Sequence, residues 1–197
     1  SGRSFACEAH LLPSARTQGE PLTGRFSMVA GETVQQVMMA KDEQRYLLSS
    51  DAGYGFVCKF SDLVSRNKNG KAILNLPTGA KILPPNRVDD RENDLLVVVS
   101  NEGRMLIFPV ADLPELAKGK GNKMISIPAL RAQSREEYVV ATSVVPHDAA
   151  ITLLAGKRKL TLKPADLEHY RGERGRRGNK LPRGLQRVDA ITVESQD

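Results

Sequence analysis

Three stretches of this 197-residue chain alternate glycine with lysine or arginine. The first holds Arg66, Lys68 and Lys71 around Gly70; the second holds Lys118, Lys120 and Lys123 around Gly119 and Gly121. The third holds Arg171, Arg174, Arg176, Arg177, Lys180 and Arg183 around Gly172, Gly175 and Gly178. Cationic side chains supply charge for phosphate, and glycine lets backbone amides approach its oxygens. The chemistry such a pattern suits is binding of a polyanion. The charge distribution agrees: the chain carries +6 overall, and residues 151–197 hold eleven basic and six acidic residues, so +5 of it lies there. Lys157 to Arg187 alone has eleven basic and three acidic residues, a local +8. A single loop of this kind reads as a solvated surface. Three at the same place in a repeat point to function.

Other reactive residue types form no constellation. Cys7 and Cys58 are too few for a cysteine zinc site or a disulfide framework, so a reducing, cytoplasmic setting is the expectation. His10, His147 and His169 lie far apart with no metal-ligand spacing. Asp89-Asp90 and Glu136-Glu137 read as solvated turns rather than paired catalytic carboxylates. Gly19 to Arg25 has the glycine spacing of a phosphate loop, but Arg25 stands for the lysine and Phe26 for the hydroxyl residue. Arg45-Tyr46 opens a strand, so Tyr46 reads as a packing residue. No catalytic, metal or cofactor site is expected in this segment. No apolar run approaches the roughly 20 residues that span a bilayer, so no membrane span is expected.

The elements that must position the basic loops come from a repeat. Leu12, Leu63, Leu113 and Leu167 are 51, 50 and 54 residues apart. Upstream of each, one apolar face recurs with period two: Phe5/Cys7/Ala9, Phe56/Cys58/Phe60, Leu106/Phe108/Val110 and Leu160/Leu162. That is the period of a strand with one face buried, and it makes both cysteines small core residues. Partner strands at Tyr46–Ser50, Leu95–Ser100 and Ala150–Ala155 precede three of them across turns rich in Gly and Asn, the signal of tight hairpins. A further strand is expected before each hairpin, at Thr33–Ala40, Lys81–Val88 and Tyr138–Val145. A short one is expected after each loop, at Lys71–Leu76, Lys123–Ile127 and Lys180–Leu181. Helical periodicity is confined to Ala111–Lys118 and Pro164–Tyr170.

Four-stranded units in tandem predict an all-β, propeller-like ring of blades. The units run over about 1–24 (partial), 25–78, 79–128 and 129–184, followed by a closing strand in 185–197, all in one domain spanning 1–197. Two expectations attach to the ends: that the chain is a piece of a longer polypeptide, and that the C-terminal strand completes the N-terminal blade, giving a partial or strand-completed ring.

The units resemble the C-terminal domain of the A subunits of bacterial type IIA topoisomerases, the family of gyrase and topoisomerase IV. The stretches that carry the likeness are Asp51-Ala52-Gly53-Tyr54-Gly55-Phe56, Asn69-Gly70-Lys71-Ala72, Gly121-Asn122-Lys123, Arg177-Gly178-Asn179-Lys180 and Leu181-Pro182-Arg183-Gly184-Leu185-Gln186-Arg187. The likeness is greater to the topoisomerase IV branch. It implies a β-pinwheel, a ring whose blades exchange strands, with duplex DNA bound along its outer rim by the three basic loops. The gyrase branch carries a box of the pattern Gln-Arg/Lys-Arg-Gly-Gly-Lys/Arg-Gly. The matching place here is Gln18-Gly19-Glu20-Pro21-Leu22-Thr23-Gly24, which has lost the cations, so tight chiral wrapping is not expected.

The resemblance further implies an accessory role in decatenation and relaxation during chromosome segregation. The bond-breaking tyrosine, the ATPase and the magnesium site would lie elsewhere in the holoenzyme. Implied partners are double-stranded DNA, a chromosome condensin, the N-terminal part of the same polypeptide, and the ATPase-bearing B subunit of topoisomerase IV, in a cytoplasmic, nucleoid-associated setting. With four tyrosines, five phenylalanines and no tryptophan, base stacking on single strands is disfavoured and sequence-independent duplex contact preferred. The alternative is a propeller-like protein-interaction module whose basic face docks an acidic partner.

Overall fold

The structure, a computed structural model, describes residues 1–194. Hairpins organise it. Strands β2 (Arg45–Ser49) and β3 (Tyr54–Lys59) form the first, β6 (Leu95–Ser100) and β7 (Arg104–Pro109) the second, and β10 (Ile151–Ala155) and β11 (Arg158–Leu162) the third. Each follows from an apolar run closed by a short turn.

Each hairpin gains strands from the chain that follows it. On the inner side, β2 pairs with β5 (Asn86–Val88), β6 with β9 (Val139–Val145) and β10 with β13 (Ala190–Val193), all antiparallel. On the outer side, β3 pairs with β8 (Asn122–Lys123) and β7 with β12 (Asn179–Lys180), while β1 (Arg3–Ser4) pairs with β4 (Lys71–Ala72). Among the described residues the result is two four-stranded sheets, one three-stranded and one two-stranded, and these do not close into a ring. This is the propeller-like, strand-exchanging architecture expected.

The repeat in sequence and the sheets in space are therefore offset. The strand expected to open the third unit, β5, completes the hairpin of the second. The closing segment likewise joins its own hairpin: Ile191 sits opposite Leu153 in β10, so it does not complete the N-terminal blade. Ser195, Gln196 and Asp197 of that segment lie outside the described residues.

Three apolar cores fill the gaps between successive sheets. Tyr46, Leu48, Phe56 and Cys58 face one with Ile73 and Leu74. Leu47 and Val57, on the other face of the same hairpin, meet Leu96, Val98, Leu106 and Phe108 in the second. Val97, Val99, Met105 and Ile107 meet Ile151, Leu153 and Leu162 in the third. The middle hairpin is buried on both faces, which is why Leu95-Leu96-Val97-Val98-Val99 is uninterrupted rather than alternating.

Two expectations fail here for one reason. Cys58 is fully buried, but Cys7 is exposed, because the first strand ends at Ser4 and no sheet covers the face bearing Cys7 among the described residues. Thr33–Ala40 forms no strand: among the described residues it has no pairing partner. The helical segments are single turns, at α1 (Phe60–Leu63), α2 (Ala129–Gln133) and α3 (Pro164–Leu167), with 3₁₀ turns at Ala9–Leu11, Leu22–Gly24, Val110–Asp112 and Glu168–Tyr170.

Candidate nucleic-acid interface

The three basic loops are held by one recurring device. A glycine starts each exchanged strand and presses onto the preceding unit. Gly121 has φ +81°, and a Cβ there would overlap the Gly55 carbonyl oxygen; at Gly178 (φ +73°) it would lie 2.5 Å from that of Met105. Only glycine fits so close an approach at positive φ. The residue after the exchanged strand then locks it: the Met124 amide donates to the Gly53 carbonyl (2.7 Å) and the Leu181 amide to that of Gly103 (2.8 Å). Arginines that follow the turn glycines add a second clamp. Arg3 donates to the carbonyls of Asn69 and Gly70, and Arg104 to that of Gly178 (3.2 Å). The Gly2-Arg3 and Gly103-Arg104 pairs are visible in sequence, but their role is not.

The loops also bond to one another in series. Asn75 donates to the Gly119 carbonyl and Gly119 to that of Ile73, both at 2.9 Å. Further on, Gly175 donates to Met124 and Ser126 to Arg176, again at 2.9 Å. Three loops spread over more than 100 residues of sequence thus join into one strip.

Along that strip the twelve expected cations fall into two groups. The side chains of Arg66, Lys68, Lys118, Lys123 and Arg183 are exposed and make no hydrogen bond or ion pair among the described residues. The others are engaged. Lys71 Nζ donates to the Asp62 carbonyl (2.9 Å), and Lys120 Nζ lies 4.2 Å from the centre of the Tyr54 ring. Lys180 Nζ donates to the Glu102 carbonyl (2.9 Å), and Arg174 to that of Lys123 (2.7 Å). Arg171 pairs with Glu168 and Arg176 with Glu173, both pairs open to solvent. Arg177 donates to the Ser126 carbonyl (2.6 Å) and stands 2.7 Å from Glu137 Oε1.

Glu137 overturns its reading as a solvated turn residue: its side chain is 1% exposed. It sits between Arg177 and Arg131, the latter at 3.0 Å. Desolvation works against the Arg131 charge, but the Glu137 and Glu102 carboxylates outweigh it and raise its pKa above the ordinary value. Asp51, also buried, pairs with Arg135 at 2.7 Å. Glu137 thus ties the third loop, through Arg177, to the interior. Asp90, by contrast, is exposed: its side chain accepts from Asn93, which lowers its pKa.

The segment matching the gyrase box is exposed over Gln18–Pro21, and Leu22–Gly24 makes a 3₁₀ turn. Its nearest cation, Arg25, is drawn onto Glu20 and the Leu11 carbonyl. A second cationic patch escapes the loop pattern. Lys157, Lys159 and Lys163, on and beside β11, are exposed. Their signal in sequence is the local +8. Among the described residues no three His, Cys, Asp or Glu side chains gather as a metal site would require, and no helix is long and apolar enough to cross a membrane.

Comparison with known proteins agrees with the geometry. Residues 44–89 and 94–146 match the family described as DNA gyrase C-terminal domain, beta-propeller. The chain is 55% identical over 194 residues to the DNA topoisomerase 4 A subunit of Pseudomonas aeruginosa, covering 98% of this chain and 26% of that protein. It is 49% identical over 195 residues to the Escherichia coli K12 protein of the same name, covering 99% and 26%. It thus spans about a quarter of the length of the curated relatives it matches. The solved C-terminal domain of E. coli ParC superposes with a TM-score of 0.92 at 49% identity, over 99% of this chain and 78% of that one. The chain belongs to the family of DNA gyrase C-terminal domains with the β-propeller fold.

Proposed function

We propose that this chain binds duplex DNA without sequence preference, through backbone phosphates, as the accessory domain of a type IIA topoisomerase of the topoisomerase IV kind. The observation that carries the reading is the strip of three hydrogen-bonded loops bearing five cations with no partner among the described residues. Free charges carried on a run of loops suit a phosphate backbone. By family likeness, the domain holds a DNA segment near the gate of the longer protein and biases which crossings are passed in decatenation and relaxation, on the nucleoid during chromosome segregation. Its partners in that role are a condensin, the rest of its own polypeptide, and the ATPase-bearing B subunit. ATP and magnesium serve the holoenzyme outside this segment. The cation-poor segment at Gln18–Gly24 supports binding without tight wrapping.

Binding of this chain to random-sequence duplex DNA across a salt series tests the reading. A steep linear fall of log K with log salt is expected. Absence of binding at low salt would overturn it.

A second reading has its own observation. The exposed lysines at 157, 159 and 163 lie off the loop series, at the edge of the last sheet, and suit an acidic protein surface. Saturable, DNA-independent binding of an acidic partner that is lost on their replacement would favour it.

A further inference from the structure

The residue after a turn glycine stands beside the loop that the exchanged strand brings in. Arg3 follows Gly2 and Arg104 follows Gly103, and their guanidinium groups donate to the loop carbonyls of Asn69, Gly70 and Gly178. Tyr54 follows Gly53 at the corresponding place between them. The face of a phenol ring offers no donor for that clamp, and here the contact runs the other way. Lys120, from the loop, places Nζ 4.2 Å from the centre of the Tyr54 ring, within reach of a cation–π contact.

The reversal matters for charge. The loop residue before each exchange glycine is Asn69, Lys120 or Arg177. Asn69 carries no charge, and Arg177 is held by the Glu137 carboxylate and the Ser126 carbonyl. Lys120 meets neither an acid nor a carbonyl among the described residues; its side chain is exposed, and Tyr54 is half-buried. An aromatic face orients an ammonium without neutralising it, so the charge and the hydrogens turned away from the ring stay open to an anion. Residues 116–123 contain no acid, and Glu115 just ahead of them is paired with Arg45. Lys118 and Lys123 are exposed on either side.

We infer that Tyr54 is a positioning residue for DNA, whose ring holds the Lys120 ammonium in place for a backbone phosphate between Lys118 and Lys123. A lysine loses rotamer freedom when it grips a phosphate. With Tyr54 beneath it, much of that ordering is already present in the free protein, so the contact forms more tightly. Phenylalanine would serve as tyrosine does and an aliphatic residue would not, because the ring quadrupole is what acts. The role of Tyr54 rests on duplex-DNA binding as proposed above, and adds to it a residue with no charge of its own.

Binding of the full chain to random-sequence duplex DNA across a salt series is the test, with Tyr54→Leu, Tyr54→Phe, Lys120→Ala and the double variant of Tyr54→Leu with Lys120→Ala. Tyr54→Leu should weaken binding about two- to tenfold at low salt with the salt slope kept, whereas Tyr54→Phe should bind as the parent does. Lys120→Ala should lower the magnitude of the slope by about 0.9, and adding Tyr54→Leu to it should weaken binding no further. Nuclear magnetic resonance of the DNA-free protein gives a readout apart from binding: ring-current shifts on the Lys120 side chain in the parent and in Tyr54→Phe, lost in Tyr54→Leu. Tyr54→Leu binding as tightly as the parent would overturn the role of Tyr54 alone. So would equal weakening by Tyr54→Leu with and without Lys120, since the ring would then act through the fold. A parent chain that binds no duplex would overturn it together with the DNA-binding reading.

Discussion

Arg177 places a guanidinium nitrogen 2.7 Å from a carboxylate oxygen of Glu137, whose side chain is 1% exposed. The most basic loop of the chain is thereby tied to its interior. Arg177→Ala removes one of the two cations that face the buried Glu137 carboxylate and leaves Arg131 in place, so it should cost about 1–2 kcal/mol in urea denaturation. Arg176→Ala, whose partner Glu173 is as open to solvent as itself, should fall within about 0.5 kcal/mol of the parent. Equal costs would show that the buried carboxylate does not depend on Arg177.

The exchange glycines give a second contrast. Gly121→Ala sets a methyl against the Gly55 carbonyl at positive φ, and should cost about 3 kcal/mol or more. Gly156→Ala, also at positive φ but with nothing within 4 Å, should cost only about 1 kcal/mol. Thermal melting of the two variants side by side decides it.

The two thiols should behave differently. Burial, aided by Asp62 and Glu115, pushes the Cys58 thiol up to about 12, whereas Cys7 is exposed. A thiol reagent at about pH 7.5, below the ordinary thiol value, should titrate one thiol in the native protein and two in denaturant. Because the folded pKa of Cys58 is raised, its contribution to stability is complete below the ordinary thiol value of about 8.5 and is lost progressively as pH rises from there toward about 12. Cys58→Ser should flatten that alkaline decline in a pH series of melts.

For DNA, the free lysines are the clean probes. Replacing Lys68, Lys118 and Lys123 together by alanine should lower the magnitude of the salt slope by as much as about 2.7, some 0.9 per lost phosphate contact, with melting unchanged. Arg174→Ala should instead act through the fold, since its guanidinium holds the Lys123 carbonyl. A salt slope left intact by the lysine variant would move the interface elsewhere.

Period-two patterning and turn residues made the hairpins legible, because both are local signals. The residues of β6 and β7 could be assigned to strands from sequence alone. Which strand lies beside β2 could not, since β5 is joined to it through chain that gives no pairing signal of its own, and the same holds for β8 beside β3. That limit also explains Cys7 and Thr33–Ala40, whose patterns are those of strands but whose neighbours are missing among the described residues. In the interface, residue types marked all three loops. Availability was hidden, because a carbonyl at Ser126 or Lys123, or a carboxylate at Glu137, claims an arginine only once the fold brings them together. Charge density in sequence therefore pointed most strongly at the loop whose arginines are most occupied.

Strand exchange also bears on how such an array can change its length. A segment from one hairpin turn to the next, such as Gly53 to Gly103, carries two strands of one sheet (β3 and β5), one of the sheet before it (β4) and one of the sheet after it (β6). Deleting one between turns such as Gly53 and Gly103 leaves every surviving sheet with donors of the same type, whereas a cut between sheets would strand half-built ones on both sides. The natural seam for duplication or recombination is thus the hairpin turn, inside a blade, and a shuffled unit can be accepted only if it brings the glycine that its new neighbour must close upon.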